Sequence, residues 1–206
     1  MMAGVRMSKI IPLRRPQRRE AETADEALLA ACARGDMAAL GALFHRYQAA
    51  VYSFLSRISG TDDADLDDLV QNTFLQVHRS AARFRHRSSV KSWIFGIAAN
   101  VARHHVRSSI RQKRAFRILR DAAWTDAGGG VHEAVERRAM MERLSAALGK
   151  LSYKLRVVFV MCDMEGVSGV EAARALGLRE GTLWRRLHDA RQALAVEIEG
   201  RSDDGS

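Results

Sequence analysis

The chain has 206 residues, 47% of them hydrophobic and 28% charged, enough for one large helical domain or two small ones. Its formal net charge of +9 favours a polyanionic partner. No apolar run approaches the roughly 20 residues a membrane span needs, so membrane insertion is not expected.

Cys32 and Cys162 stand alone, without CxxC or Cys/His ligand spacing. That argues against a disulfide framework or zinc site and predicts reduced cysteines in helix cores. Both prolines precede position 20, Ala, Leu, Arg and Glu dominate, and no segment alternates with period two for long. The expected fold is all-α: two small helical domains, a flexible linker, and a helix-turn-helix in the second.

In chain order, the start MMAGVRMSKIIPLRRPQRRE is basic but has no apolar h-region and no small-residue cleavage site. Residues 1–23 are therefore expected to be a disordered tail, and Met7 is an equally compatible start. A first helix is predicted over about Ala24 to Arg34, ending at Gly35. Asp36 then caps a helix whose Leu40, Leu43, Phe44, Tyr47, Val51, Phe54 and Leu55 recur at three and four residues, broken at Gly60 and Thr61. A third helix carries Leu66, Leu69, Val70, Phe74 and Val77 on one side and Asp67, Asp68, Gln71 and Asn72 on another. Ser88 or Ser89 caps a fourth, with Trp93, Ile94, Ile97, Ala98 and Val101 inward. These elements make a domain over 24–116.

Charge is distributed unevenly in that domain. Asp62, Asp63, Asp65, Asp67 and Asp68 cluster, and then no Asp or Glu occurs from Arg79 to Arg120. That stretch holds twelve basic residues, among them Arg85, Arg87, Lys91, Arg103, Arg107, Arg111 and Arg114. A block of one sign repels itself unless a ligand of opposite sign neutralises it. A merely solvated face usually carries interspersed carboxylates, and these are absent.

The segment RILRDAAWTDAGGGVHE follows; its consecutive Gly128, Gly129 and Gly130 mark a flexible joint over 117–131. The second domain spans 132–199, before a tail at 200–206. Val135, Ala139, Leu144, Leu148 and Leu151 form its first apolar stripe, and a helix through Val157, Val158, Val160 and Met161 comes next. Ser168 caps a helix through Leu176, Gly177 supplies a turn, and a second helix starts near Glu180. There Leu183, Leu187, Ala190 and Leu194 fall inward, and Thr182, Arg185, Arg186 and Asp189 outward. This is helix-turn-helix spacing, in which the second helix presents its first residues to base edges in the major groove. Arginine suits that role because its fork binds guanine or phosphate with two bonds. The bland reading is an αα-hairpin with a basic face, which a second, separate basic region disfavours.

LGLREGTLWRRLHDAR resembles the C-terminal DNA-binding region of bacterial RNA polymerase sigma factors. DDLVQNTFLQVHR resembles their core-polymerase-binding helix, and FRHRSSVKSWIFGIAANVARHHVR their promoter-melting region. KLSYKLRVVFVMCDMEGVSGVEAARALG resembles the run into the C-terminal helix-turn-helix. The short layout is similar to that of the extracytoplasmic-function (ECF) subgroup.

The resemblance implies that Asp68, Leu69, Gln71, Asn72 and Phe74 serve core-polymerase binding, Asn72 standing where family members usually carry Glu. It implies that Arg85, Arg87, Ser88, Lys91, Ser92, Trp93, Asn100, Arg103, Arg107 and Arg111 serve the minus-ten element, with a base pocket around Phe84 to Lys91. Trp93 has a rival reading as a core residue. Ala99-Asn100 and His104-His105 depart from the family's usual Arg-Asn and Asp-His. Arg179, Gly181, Thr182, Trp184, Arg185, Arg186 and His188 would serve the minus-thirty-five element. Trp184, where the family commonly has Lys, either touches a thymine methyl or sugar or packs on the domain's own helices. The implied partners are core RNA polymerase, promoter DNA and an anti-sigma factor; the implied setting is the cytoplasm, on the nucleoid. No catalysis, cofactor or metal is expected.

Two other readings fit the sequence less well. A helix-turn-helix regulator that is not a polymerase subunit would need an effector cavity or receiver domain, of which 24–116 gives no sign. An enzyme acting on nucleic acid would need a second carboxylate cluster to complete a two-metal site, and no P-loop, nucleophile elbow or zinc motif occurs.

Overall fold

The structure is a computed structural model that describes residues 16–60, 63–116, 144 and 146–199. The expected linker at 117–131, Asp62 and the stripe at Val135 and Ala139 lie outside the described residues. Among those described, all regular structure is helical. The order is α1 (Pro16–Ala33), α2 (Met37–Ser59), α3 (Asp63–Ser80), a 3-10 turn (Ala81–Arg83), α4 (Val90–Phe116), α5 (Tyr153–Phe159), a π turn (Val160–Met164), α6 (Gly169–Ala175) and α7 (Glu180–Glu199).

Helices α1 to α4 form the first bundle, with α2 packed on the other three. Its periodic apolar residues meet as expected: Leu43, Val51, Phe54, Leu55, Leu66, Val77 and Ile94 are buried together. Phe54 of α2 and Phe95 of α4 stack face to face, centroids 4.6 Å apart and planes 7° apart. Phe44 and Phe74 meet edge to face at 4.9 Å. Asp36 caps α2 as read, accepting from the N–H groups of Ala38 (2.9 Å) and Ala39 (3.1 Å). Of the two serines offered for α4, Ser89 is the cap, accepting at its Oγ from the Ser92 N–H at 3.3 Å.

One boundary is corrected. Helix α1 starts at Pro16, so residues 16–23 of the expected disordered tail are helical. Proline at the first helical position costs nothing there, since that N–H has no intrahelical partner. Further along, the buried Asp25 accepts from Arg46 Nη1 and the Tyr47 hydroxyl, tying α1 to α2.

In the second bundle α7 packs on α5 and α6, burying Leu183, Leu187, Ala190 and Leu194 against Val157, Val158, Ala172 and Ala173. Ser168 caps α6, accepting from the Glu171 N–H. Gly177 (φ +64°) ends it: its N–H donates to Arg174 O (3.2 Å) and the Leu178 N–H to Ala173 O (2.8 Å). That Schellman closure sets the angle of the helix-turn-helix. The helix expected through Val160 and Met161 widens there into a π turn, with the Glu165 N–H donating to Val160 O at 2.9 Å.

Candidate nucleic-acid interface

Helix α3 presents Asp67, Asp68, Gln71 and Asn72 to solvent. Leu69 and Phe74 lie beneath them in the core, so they hold the helix and leave the polar residues to make contacts. Beside this row a groove lined by Phe44, Gln48, Tyr52, Asp67, Val70 and Gln71 gives a face with an apolar floor and a polar rim.

The basic face runs from the 84–89 loop into α4. Arg85, Arg87, Asn100 and Arg103 are exposed, Ser88 is half-buried, and Lys91 lies at the helix start with its ammonium 5.1 Å from the centre of the Phe95 ring. Trp93 is half-buried and meets Phe84 edge to face at 5.4 Å, so it packs on the core and also lines the loop. His104 is exposed, whereas His105 is half-buried with Nε2 3.4 Å from Asp65 Oδ2; adjacent helix positions diverge. The side chains of Arg107 and Arg111 lie outside the described residues.

Ser92, expected on the DNA-facing surface, is only 1% exposed. Its N–H and hydroxyl both meet the Ser89 hydroxyl, so it completes the start of α4 instead.

In the second bundle Arg179, Gly181, Trp184, Arg185 and His188 are exposed at the start of α7, with Thr182 and Arg186 half-buried beside them. Trp184 takes the second of the two roles that the sequence left open, packing on the domain's own helices, while half of it stays open to solvent. It is 50% exposed, yet its six-membered ring rests on Gly169 so closely that a Cβ there would lie 2.5 Å from Cη2 and Cζ2. Glycine at 169 gives the indole its seat.

Several residues with no motif of their own join the two bundles. Glu165, placed by the π turn, receives Arg57 Nη1 at 2.9 Å and Lys91 Nζ at 3.3 Å. Lys91 also donates to the Glu165 carbonyl at 3.2 Å. Glu171 accepts from the Ser89 N–H at 3.0 Å, and Arg174 Nη1 donates to Arg87 O at 2.8 Å. The half-buried Tyr153 donates its hydroxyl to Ala99 O, and desolvation pushes that phenol above its ordinary range. Arg156 Nη1 reaches Ile58 O at the end of α2, 3.3 Å away, with desolvation lowering its guanidinium from the ordinary value. Sequence spacing carries no signal for these pairs, which are separated by 54 to 108 positions.

Among the described residues no group of three or more His, Cys, Asp or Glu side chains is placed to hold a metal ion, and no helix is long and apolar enough to cross a membrane.

A basic helical bundle joined to a helix-turn-helix with exposed arginines defines a two-domain DNA-binding protein. Residues 43–112 match Sigma-70 region 2, and residues 141–194 match Sigma-70, region 4. The ECF RNA polymerase sigma factor SigM of Mycobacterium tuberculosis is 33% identical over 177 residues, 84% of this chain and 84% of the relative. The RNA polymerase sigma factor CnrH of Cupriavidus metallidurans is 30% identical over 190 residues, 88% of this chain and 98% of the relative. The solved structure of CnrH in complex with the cytosolic domain of CnrY aligns with a TM-score of 0.63 at 28% identity, over 86% of this chain and 98% of that one. The sigma factor RpoE in complex with the anti-sigma factor NepR from Bartonella quintana shares the fold, with a TM-score of 0.60 at 22% identity over 77% and 96% of the two chains. The chain belongs to the sigma-70 family, in the ECF subgroup. It is a transcription initiation factor that works with core RNA polymerase and promoter DNA; the reading as a regulator outside the polymerase is not favoured.

Proposed function

We propose that the work is divided between the bundles. Residues 24–116 bind core polymerase and the minus-ten element, 117–131 link, and 132–199 read the minus-thirty-five element. On α3, Asp68, Gln71 and Asn72 make the polar contacts to polymerase, over Leu69 and Phe74 as buried anchors. Along the 84–89 loop and α4, Arg85, Arg87, Ser88, Lys91, Trp93, Asn100 and Arg103 engage the minus-ten DNA. Asn100 meets a base edge, and the cations take phosphates, adding salt-dependent affinity without sequence information. Opening a duplex costs unstacking, which a base held beside Phe84 and Trp93 offsets. At the start of α7, Arg179, Gly181, Thr182, Trp184, Arg185, Arg186 and His188 face the major groove. The chain acts by binding alone, in the cytoplasm on the nucleoid, and an anti-sigma factor covers the DNA-reading faces.

The observation that carries this reading is the exposed Arg85, Arg87 and Arg103, set beside a separate acidic face on α3 in the same bundle. In vitro transcription with purified core enzyme tests it. A promoter-dependent transcript requiring the chain is expected, and its absence together with absent core binding refutes the reading. Arg185→Ala is expected to weaken binding to duplex DNA carrying the upstream element while leaving core affinity unchanged; a loss of core affinity instead would make α7 structural.

A further inference from the structure

We propose that His86 is a base-stacking residue of the minus-ten reader, and that Glu26 of α1 is the positioning residue that holds it in place. The proposal rests on the assignment of the 84–89 loop to the minus-ten DNA and adds to it a residue and a helix that no motif marked. Among the described residues, His86 is the one non-glycine with a positive φ, at +52°. That left-handed region is unfavourable for an L side chain; histidine enters it more readily than most, and stays where its surroundings hold it. Here they do. His86 Nδ1 lies 3.1 Å from Glu26 Oε2, and because a carboxylate only accepts, the proton between them sits on Nδ1. The imidazole also meets the Phe84 ring edge to face, with centroids 4.9 Å apart.

The rings form a row. Trp93 meets Phe84, and Phe84 meets His86, each pair edge to face. Trp93 and Phe84 pack on the core, whereas the His86 side chain is 60% exposed and stands at the solvent end. An unstacked base finds a π surface on such a ring, histidine included. Arg85 and Arg87 flank it, exposed, as cations for the adjoining phosphates.

Glu26 can hold this ring because α1 is itself fixed. The neighbouring Asp25 is fastened to Arg46 and Tyr47 of α2. Cys32 Sγ lies 3.4 Å from His78 Nδ1 near the end of α3, and α1 packs on the 3-10 turn from which the loop departs. Glu26 lies between these ties on the same helix, ahead of the matched residues 43–112. Arg174 of the second bundle also holds the loop, at Arg87 O. Glu26, however, belongs to the loop's own bundle and keeps its hold whatever position the second bundle takes.

Wild type, His86→Asn, Glu26→Ala and Glu26→Gln are compared as full-length chains assembled with core RNA polymerase. Asparagine tolerates the left-handed backbone but has no ring, and glutamine keeps an acceptor for Nδ1 that alanine lacks. The probe is a fluorescein-labelled single-stranded 20-mer enriched from a randomised pool by the wild-type holoenzyme, together with derivatives that each lack one base. Anisotropy reads their binding, while circular dichroism melts and core pull-down confirm that each variant is folded and assembled. One position is expected at which removing the base weakens wild-type binding. There the penalty should fall at least about fivefold in His86→Asn and in Glu26→Ala, the scale of one base–aromatic stack. Glu26→Gln should keep most of the wild-type penalty. Unchanged penalties in His86→Asn, or an equal fall at every position, overturn the stacking role and leave the minus-ten assignment standing. A penalty that survives in Glu26→Ala, or a Glu26→Gln chain as impaired as Glu26→Ala, overturns the positioning role. A wild-type holoenzyme that enriches no sequence removes the minus-ten assignment together with the proposal.

Discussion

Replacing Gly169 by alanine tests how Trp184 is presented at the start of α7. Gly169 is the first residue of α6 and has no positive φ, so alanine fits the backbone and by itself contributes about 0.5–1 kcal/mol of stability. The obstacle is the indole, whose Cη2 and Cζ2 would stand 2.5 Å from the new carbon, so the ring must leave its seat. Trp184 is 50% exposed. An indole buries up to roughly 250 Å², so about half of that is lost, worth at most ~3 kcal/mol at ~25 cal/mol per Å². Net destabilisation of the second bundle by about 1–2 kcal/mol is expected, after the backbone gain is subtracted. Denaturant unfolding followed by circular dichroism reads the loss. Tryptophan emission should shift to longer wavelength in Gly169→Ala and not in a Trp184→Phe, Gly169→Ala double variant. Anisotropy with upstream-element duplex then decides the role of the ring. If the seated ring touches DNA, Gly169→Ala weakens binding as much as Trp184→Ala does. Unchanged emission and unchanged unfolding in Gly169→Ala would refute the reasoning, because the ring would have no seat to lose.

Three further outcomes follow from the geometry. Phe95→Ala removes one ring of the Phe54 stack in a fully buried site and should cost about 3–5 kcal/mol, seen as a lowered midpoint in thermal unfolding. Asp68→Ala and Gln71→Ala alter exposed positions on α3; each should reduce core-polymerase affinity in a pull-down titration while moving the melting midpoint little. Burial, with the neighbouring Asp163 carboxylate adding to it, pushes the Cys162 thiol up from an ordinary 9.0 to about 11. The folded chain thus holds the proton more tightly than the unfolded one. Its stabilising contribution is complete below the ordinary value and is lost as pH rises through about 11. At pH 9, iodoacetamide should modify Cys162 about fifty-fold more slowly in the folded chain than in denaturant, by site-resolved mass spectrometry.

The helical periodicity was legible because it depends only on neighbours within a few turns. It placed Leu43, Phe54, Ile94 and Leu187 inside, and it found the caps at Asp36 and Ser168 and the turn at Gly177. Where the reading missed, longer range was decisive. The basic PQRRE at the head of α1 has the composition of a tail, yet it forms the first turns of a helix whose Asp25 is fastened to Arg46 and Tyr47. The family resemblance put Ser92 on the DNA-facing surface, but its hydroxyl turns back to Ser89. The π turn at Val160–Met164 has no periodic signature, because the helix ends there and leaves no later stripe whose phase would shift.

The junction was the least legible part, and it changes how the charge pattern is understood. Gly96 reads as a tolerated glycine inside a helix until Ala175 is found against it. Glu165 and Glu171 read as ordinary acidic residues of the second bundle, although their partners lie 108 and 82 positions away. A run from Arg79 to Arg120 without a carboxylate sets up a requirement for opposite charge. Part of the requirement is met by carboxylates from the same chain. A strong cationic face would otherwise hold any polyanion at low salt. Carboxylates attached to the chain compete at a fixed local concentration that dilution does not reduce.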